Sequence, residues 1–559
     1  MRCDPRSRKG ARGGAPVTSD GVRFSVAALA CAALALAIAA RDLASPGLYY
    51  DEVIQAEPAL WFLRGDPAPP EVPGASHVML LGHPFPLFTQ PYMGALKSQV
   101  LVPVLALAGP DVRALRFATL ATAVTGLVLA MAATRIAFDL PTAALLGALL
   151  AVDPSFLFTS RHDWGSFALG FLLRSAAALA LLAGWRARSR LALFAGGACA
   201  GLAIYNKVDA AIPIAAAAAA LALASPPLRR ELATRRDAWI AALAGALLGA
   251  SLVLVHALSV LAMARVTALG AVSDAGEWTE KWHAHLAALD GSYFARLLHA
   301  GGSFTQMGDV VGAPATFFTA LFAVSWTGLA LWLVRERRRG TVRAAQRFAV
   351  LAALFTQTGM LLLPHAIRIH HVLNAWPLPQ LVVALAVREA WRRAGARVAL
   401  RGALALGFAA ALVAAVRVDV QTLDFMRATG GKGLWSDALE RLAPELSGAR
   451  LVALDWGFAG PLRFADPSLR VDEPIWRMRG RHPSTLEGDD TSVYLLHERS
   501  LAVFPFGAAL LDAVAALPAG SARIEPHVDR DGDTAFVTLR FAGPHRLLYR
   551  GGRFEVQLR

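Results

Sequence analysis

Eleven apolar runs separated by short charged segments constrain this chain more than any other feature. They lie near 24–40, 114–134, 141–158, 164–184, 191–205, 208–225, 238–262, 313–334, 348–364, 372–388 and 400–417. A helix needs about 20 mostly apolar residues to cross the hydrocarbon of a bilayer. The pattern therefore predicts a polytopic α-helical membrane protein with about eleven transmembrane helices, several with soft ends.

Charge tests that count, because orientation must alternate and Lys and Arg collect on the cytoplasmic side. With the N-terminus inside, the cytoplasmic segments hold Arg186/Arg188/Arg190, Arg229/Arg230/Arg235/Arg236, Arg335/Arg337/Arg338/Arg339/Arg343/Arg347 and Arg388/Arg392/Arg393/Arg397. The segments on the other side are acidic or mixed. A net charge of +14 would suggest nucleic acid in a soluble protein, but 56% of the residues are hydrophobic and the basic ones sit between apolar runs. No nucleic-acid partner is expected, and a multi-pass cell (inner) membrane protein is. Cys3 precedes the first run while Cys31 and Cys199 lie within runs, so no disulfide framework is implied.

Residues 1–23 carry six Lys or Arg against two Asp and read as a disordered cytoplasmic tail. The first run ends in Ala37-Ile38-Ala39, the small-residue pattern of a signal-peptidase site, but is read as a retained helix. The membrane part is expected over 24–417, with long external loops at 41–98 and 263–312. An apolar stretch ending the first loop, before Gly109-Pro110, is too short to span and reads as an interfacial helix. Trp278, Trp282, Tyr293 and Phe294 in the second loop suit the headgroup level. Residues 418–559 have a soluble composition with strand-like runs at 450–454, 492–496, 535–541 and 553–558 and helical patterns near 436–442 and 508–516. An odd number of crossings makes this α/β domain extracytoplasmic.

Within the first loop, LYYDEVIQAE at 48–57 sets Asp51 and Glu52 just beyond a membrane run. Carboxylates there are costly unless solvated or used, which makes them functional candidates. Equally open is a capping role, with Asp51 opening a helix over 53–61 and Glu52 a solvated residue in its first turn.

YYDEVIQAE at 49–57, PYMGALKS at 91–98 followed by GPDVRALRFATL at 109–120, and DPSFLFTSRHDWG at 153–165 together resemble the type C glycosyltransferases. The likeness is to the group of protein O-mannosyltransferases and aminoarabinose lipid A transferases. It implies an enzyme that moves a hexosyl or pentosyl unit from a polyprenyl-phosphate carrier to an acceptor hydroxyl on a glycan, lipid or protein. In that setting Asp51 is the general base, and Glu52 positions the acceptor or Asp51 itself.

A phosphate leaving group calls for cations rather than a strong acid, its second pKa being about 6. Lys97 is the one Lys of the first loop, although the group usually has Lys-Pro where this chain has Lys97-Ser98. Arg368, in a cluster with His365, His370 and His371, is the second candidate, since arginine forks onto phosphate oxygens. Lys207 lies on the same side. Tyr50, Tyr92, His162 and Asp163 are candidates for the acceptor side or for support of the site, Arg161 lies beside them, and a His162-Asp163 cap on the next helix is the alternative.

Other motifs carry less. Asp531-Gly532-Asp533 reads as a hairpin turn, Gly430-Gly431-Lys432-Gly433 lacks the spacing of a phosphate loop, and His283 and His285 point to different faces of a helix. His77 and His83 share the loop with the acidic pair, but nothing in their spacing demands a metal. No metal or cofactor is expected, a divalent cation being left open. A non-catalytic scaffold that binds polyprenyl lipid would keep the cations and need no base, and a secondary transporter would show two related halves.

Overall fold

The computed structural model describes residues 19–65, 75–224, 226–256, 261, 275–304, 306–336, 341–364, 368–479 and 483–559. Outside them fall residues 1–18 of the expected tail with Cys3, and also Arg337, Arg338, Arg339 and His365. Residues 19–23, read as tail, belong to the helix Ser19–Ala39.

Each of the eleven apolar runs falls on a helix or a broken helix. Among the described residues, five helices are long and apolar enough to cross a membrane: Ser19–Ala39, Val112–Ala137, Trp164–Ala187, Phe318–Arg335 and Val398–Thr429. Leu140–Ala151 and Pro154–His162 form a pair bent by 62°. That bend corrects the continuous run expected over 141–158. Asp153 accepts the Phe156 N–H at 2.8 Å and so opens a new helix, and Pro154 at its first turn has no N–H to continue the old one.

Two further runs are broken. The run at 238–262 contains Arg236–Gly249 and Ser251–Val255, parted at Ala250. The tenth run starts at Leu378, not 372, because Ile369–Val372 and Leu373–Ala375 are separate short turns ahead of Pro377. Arg190–Asn206 and Arg236–Gly249 pack backbone to backbone. A Cβ added at Gly197 would lie 1.9 Å from the Ala242 carbonyl oxygen, so only glycine allows this approach.

The first loop is more structured than its sequence suggests. In place of one helix over 53–61 it has Tyr50–Val53 and Glu57–Arg64. An antiparallel sheet of Ser76–Leu80, His83–Gln90 and Met93–Gly94 follows, and then the 13-residue apolar helix Leu96–Ala108. The second loop forms Ala275–Leu289 and Tyr293–His299. Trp278 and Trp282 are exposed, but Tyr293 and Phe294 are buried, with ring centroids 6.5 and 6.0 Å from Trp164. They face the core of the protein, contrary to the interfacial position expected.

Val398–Thr429 runs unbroken for 32 residues. At 1.5 Å per residue that is about 48 Å, well beyond a hydrocarbon core of about 30 Å, so the helix carries its own axis past the boundary read at 417. It ends where Gly430 takes φ +67°. Beyond it, a five-stranded sheet runs in the order Arg470–Asp472, Arg450–Ala453, Ser492–His497, Thr534–Phe541, Ala522–Val528, the first three parallel and the rest antiparallel. The crossover between the first parallel pair is the helix Ala459–Ala465. A second, antiparallel sheet orders Arg553–Leu558, His545–Arg550 and Ser484–Gly488. The two motifs set aside above meet here: Lys432 pairs with Asp531 and Asp533, each at 2.9 Å, pinning the hairpin turn.

Candidate active site

The site begins with the loop that delivers Asp51. Residues 39–47 leave the first helix with their carbonyls pointing inward, and two buried arginines collect them. Arg161 donates to the carbonyls of Ala39, Arg41, Asp42 and Ser45. Arg116 donates to Leu43 at 2.8 Å, Pro46 at 2.9 Å and Gly47 at 3.1 Å. A guanidinium has five donors in a fixed fork, which suits it to binding several backbone oxygens at once.

Arg116 also faces Glu52. Its Nε lies 2.8 Å from one carboxylate oxygen and its Nη2 2.9 Å from the other, a bidentate pair, and His162 Nδ1 lies 3.2 Å away. Glu52 is buried, which corrects its reading as a solvated helix residue. Burial alone would raise its pKa, but Arg116 and then His162 outweigh burial and hold it down at about 2. His162 thus faces Glu52 with its Nδ1, and its ring centroid lies 5.8 Å from the phenyl of Phe294.

Asp51 is built differently. It lies inside the helix Tyr50–Val53, and that helix has no side-chain cap, which removes the capping alternative. Trp164 donates its indole N–H to Asp51 Oδ2. The carboxylate is partly open while protein surrounds it on most sides. Burial pushes its pKa up to about 7 against the pull of Lys207, Arg368 and Lys97, and neighbouring Glu52 adds to the rise.

The three cations come from three separate segments. Lys97, at the start of Leu96–Ala108, is buried and pairs with Asp163 Oδ2 at 2.8 Å. Asp163 Oδ1 accepts the Ala168 N–H at 2.7 Å, so the residue both caps the next helix and neutralises Lys97. Lys207 pairs with Asp209 at 3.2 Å, and the same carboxylate oxygen takes His371 Nδ1 at 2.7 Å. Arg368 lies over the Phe304 ring, 3.3 Å from its centroid, and alone of the three has no carboxylate partner among the described residues. Gly165, at φ +66°, lets these segments meet: a Cβ there would lie 2.7 Å from His370 and 3.1 Å from Lys207 Nζ.

The remaining candidates divide. The Tyr92 carbonyl accepts the Val208 N–H at 3.1 Å, and its phenol, whose pKa is raised by burial and then by Asp51 and Asp209, belongs to the cationic side. Tyr50 turns the other way, its ring 4.6 Å from Trp456 and near Glu57, which pairs with Arg463 at 2.9 Å. Tyr49 is enclosed by Trp435, stacked at 4.3 Å, and by Trp164 and Trp456, both edge-on. His83 Nδ1 bonds the Phe62 carbonyl at 2.5 Å. Arg116, Trp164 and Asp209 are the residues that sequence reasoning did not single out. An arginine inside an apolar helix is the one signal that would have found Arg116.

Residues 98–256 match the family model described as dolichyl-phosphate-mannose-protein mannosyltransferase. That segment contains Arg116, His162, Asp163, Trp164, Lys207 and Asp209 and starts one residue after Lys97. Comparison with curated proteins finds no match. Among solved structures, the chain is similar to ArnT from Cupriavidus metallidurans bound to undecaprenyl phosphate, at 12% identity and TM-score 0.49, covering 94% of this chain and 98% of that one. It is also similar to the apo oligosaccharyltransferase of Archaeoglobus fulgidus, at 13% identity and TM-score 0.45, covering 80% of this chain and 64% of that one. Residues 98–256 are therefore similar to the dolichyl-phosphate-mannose-protein mannosyltransferase family, in a chain of long apolar helices followed by a sheet-bearing C-terminal part.

Proposed function

We propose that the protein transfers a sugar from a polyprenyl-phosphate carrier to an acceptor hydroxyl, with Asp51 as the general base. The observation that carries this reading is a carboxylate with pKa about 7, partly open, beside three cations from three segments. A base of that pKa is ionised in good part at neutral pH and still strong enough to accept a proton in the transition state. The acceptor oxygen gives its proton to Asp51 and bonds to the anomeric carbon. The bond from that carbon to the phosphate oxygen breaks, and its electron pair leaves on the polyprenyl phosphate. Lys97, Lys207 and Arg368 stabilise the charge that gathers there. The family description, naming a dolichyl-phosphate sugar, supports this donor class.

Asp51→Asn tests the reading. The amide cannot take the proton, so transfer falls by a factor on the order of a hundred or more while donor lipid still binds. Near-normal transfer would remove Asp51 as the base, whereas a wild type that binds donor lipid without transferring its sugar would favour a lipid-binding scaffold.

The chemistry needs the soluble part outside the cytoplasm. With eleven crossings and an internal N-terminus, the region after Thr429 is extracytoplasmic, and a cytoplasm-dependent reporter fused after Arg559 stays silent. An active reporter would overturn the crossing count.

A further inference from the structure

A pocket of about 610 Å³ lies away from Asp51, between the segment 312–315 and the outer part of Val398–Thr429. Arg417, Asp424, Gln421 and His299 line it. Its depth follows from the sequence. Arg401 and Arg417 bracket an uncharged stretch 16 helical steps long, about 24 Å, which sets Arg417 at the edge of the hydrocarbon.

The surroundings agree with that depth. Val413, one turn below Arg417 on the same helix face, is 68% exposed, and Val311 beside the pocket rim is 95% exposed. On a helix whose uncharged stretch spans most of a bilayer's hydrocarbon, open apolar side chains fit a position against acyl chains. The pocket is thus bounded by lipid-facing residues below and opens at the level of headgroups.

Its polar groups carry both signs. Arg417 is exposed and makes no ion pair among the described residues, and a guanidinium is suited to phosphate oxygens. Asp424 lies seven residues on, two turns along the same face. His299, stacked on Phe425 at 4.0 Å, bonds the Ala295 carbonyl through Nδ1 at 2.7 Å. Nδ1 must carry the proton to donate there, so Nε2 is the ring nitrogen that remains to face a ligand. One cation, one carboxylate and this nitrogen match a headgroup with a phosphate and an ammonium.

We propose that this pocket holds the headgroup of an aminophospholipid, its phosphate on Arg417 and its ammonium toward Asp424 and His299. The site bears on the catalytic loop. The Met426 carbonyl, next to Phe425, accepts the Ser45 hydroxyl at 2.7 Å, and Arg427 pairs with Asp42 at 3.7 Å. An occupant steadies the stretch of helix that grips residues 42–45.

Native mass spectrometry of the full-length protein tests this, with phosphatidylethanolamine and phosphatidylglycerol as probes. The wild type retains phosphatidylethanolamine in preference, and excess inorganic phosphate does not displace it. Arg417→Gln retains it about tenfold less, the scale of one charge-assisted hydrogen bond, and Arg417→Lys recovers part of the loss. Asp424→Asn keeps a lipid but no longer distinguishes the two. Equal retention of both lipids by the wild type, displacement by phosphate, or unchanged retention in Arg417→Gln would each overturn the proposal. Both substituted residues are exposed, so the variants fold.

Discussion

On one side of the turn Tyr50–Val53, Glu52 is closed in by Arg116 and His162. On the other, Asp51 receives one indole N–H and lies among cations that are mostly engaged elsewhere. The two carboxylates are adjacent in sequence and differ by about five units in pKa, from about 2 to about 7. Burial acts on both. What separates them is whether a counter-charge sits in bidentate contact. A carboxylate satisfied in that way holds structure, and one left short of partners is free to exchange a proton.

The largest effect expected from breaking this contrast is on stability. Glu52→Gln leaves Arg116 buried opposite a neutral amide, a loss of about 3–5 kcal/mol in thermal or chemical unfolding. A variant within about 1 kcal/mol of wild type would show that the Arg116 pair is not what fixes the turn.

The second test uses pH. On the proposed role of Asp51 as the base, transfer requires its ionised form, so kcat/KM rises about tenfold per unit up to about pH 7 and then levels. In Asp51→Asn the residual rate loses that limb, and an unchanged limb would assign it to another group. Stability moves the other way. Asp51 has a raised folded pKa, so its ionisation costs nothing below about pH 4 and destabilises progressively as pH climbs to about 7. Asp51→Asn therefore melts at the wild-type temperature in acid and no lower at neutral pH. The depressed pKa of Glu52 gives a contribution present above about pH 4.5, and lost as pH falls toward 2.

The smallest effect concerns the cations. Lys97 already has Asp163, whereas Arg368 has no carboxylate partner among the described residues, so Arg368→Ala weakens donor binding more than Lys97→Ala does. If both touch one phosphate, the double variant departs from additivity by about 0.5–3 kcal/mol. Additive losses in a donor-binding titration would separate them.

Charges beside apolar runs are costly, and for that reason Asp51, Glu52, Lys97, Lys207 and Arg368 stand out in the sequence. What holds them is harder to read. Arg116 and Arg161 act on backbone carbonyls, which every residue has, so no pattern at 39–47 announces their partners. The strand His83–Gln90 carries Pro84 and Pro86, residues that ordinarily argue against a strand, and it went unread. The helices were legible from hydropathy. The break at Asp153 was written in Asp-Pro but masked by the apolar residues on both sides. Tyr293 and Phe294 look interfacial by type, and only the fold shows that they wall in Trp164.

The turn that carries Asp51 also has a history within each molecule's synthesis. Gly47 N–H bonds the carbonyls of Gly430 and Trp435, and Leu48 N–H bonds Glu440, a residue made 392 positions later. Arg116 and Arg161 likewise emerge long after the loop they gather. A nascent chain displays the acidic pair early, but it lacks the parts that fix their geometry until residues 430–440 have been made. The geometry of the first loop is thus set from residues 430–440, far along the chain from the acidic pair they hold in place.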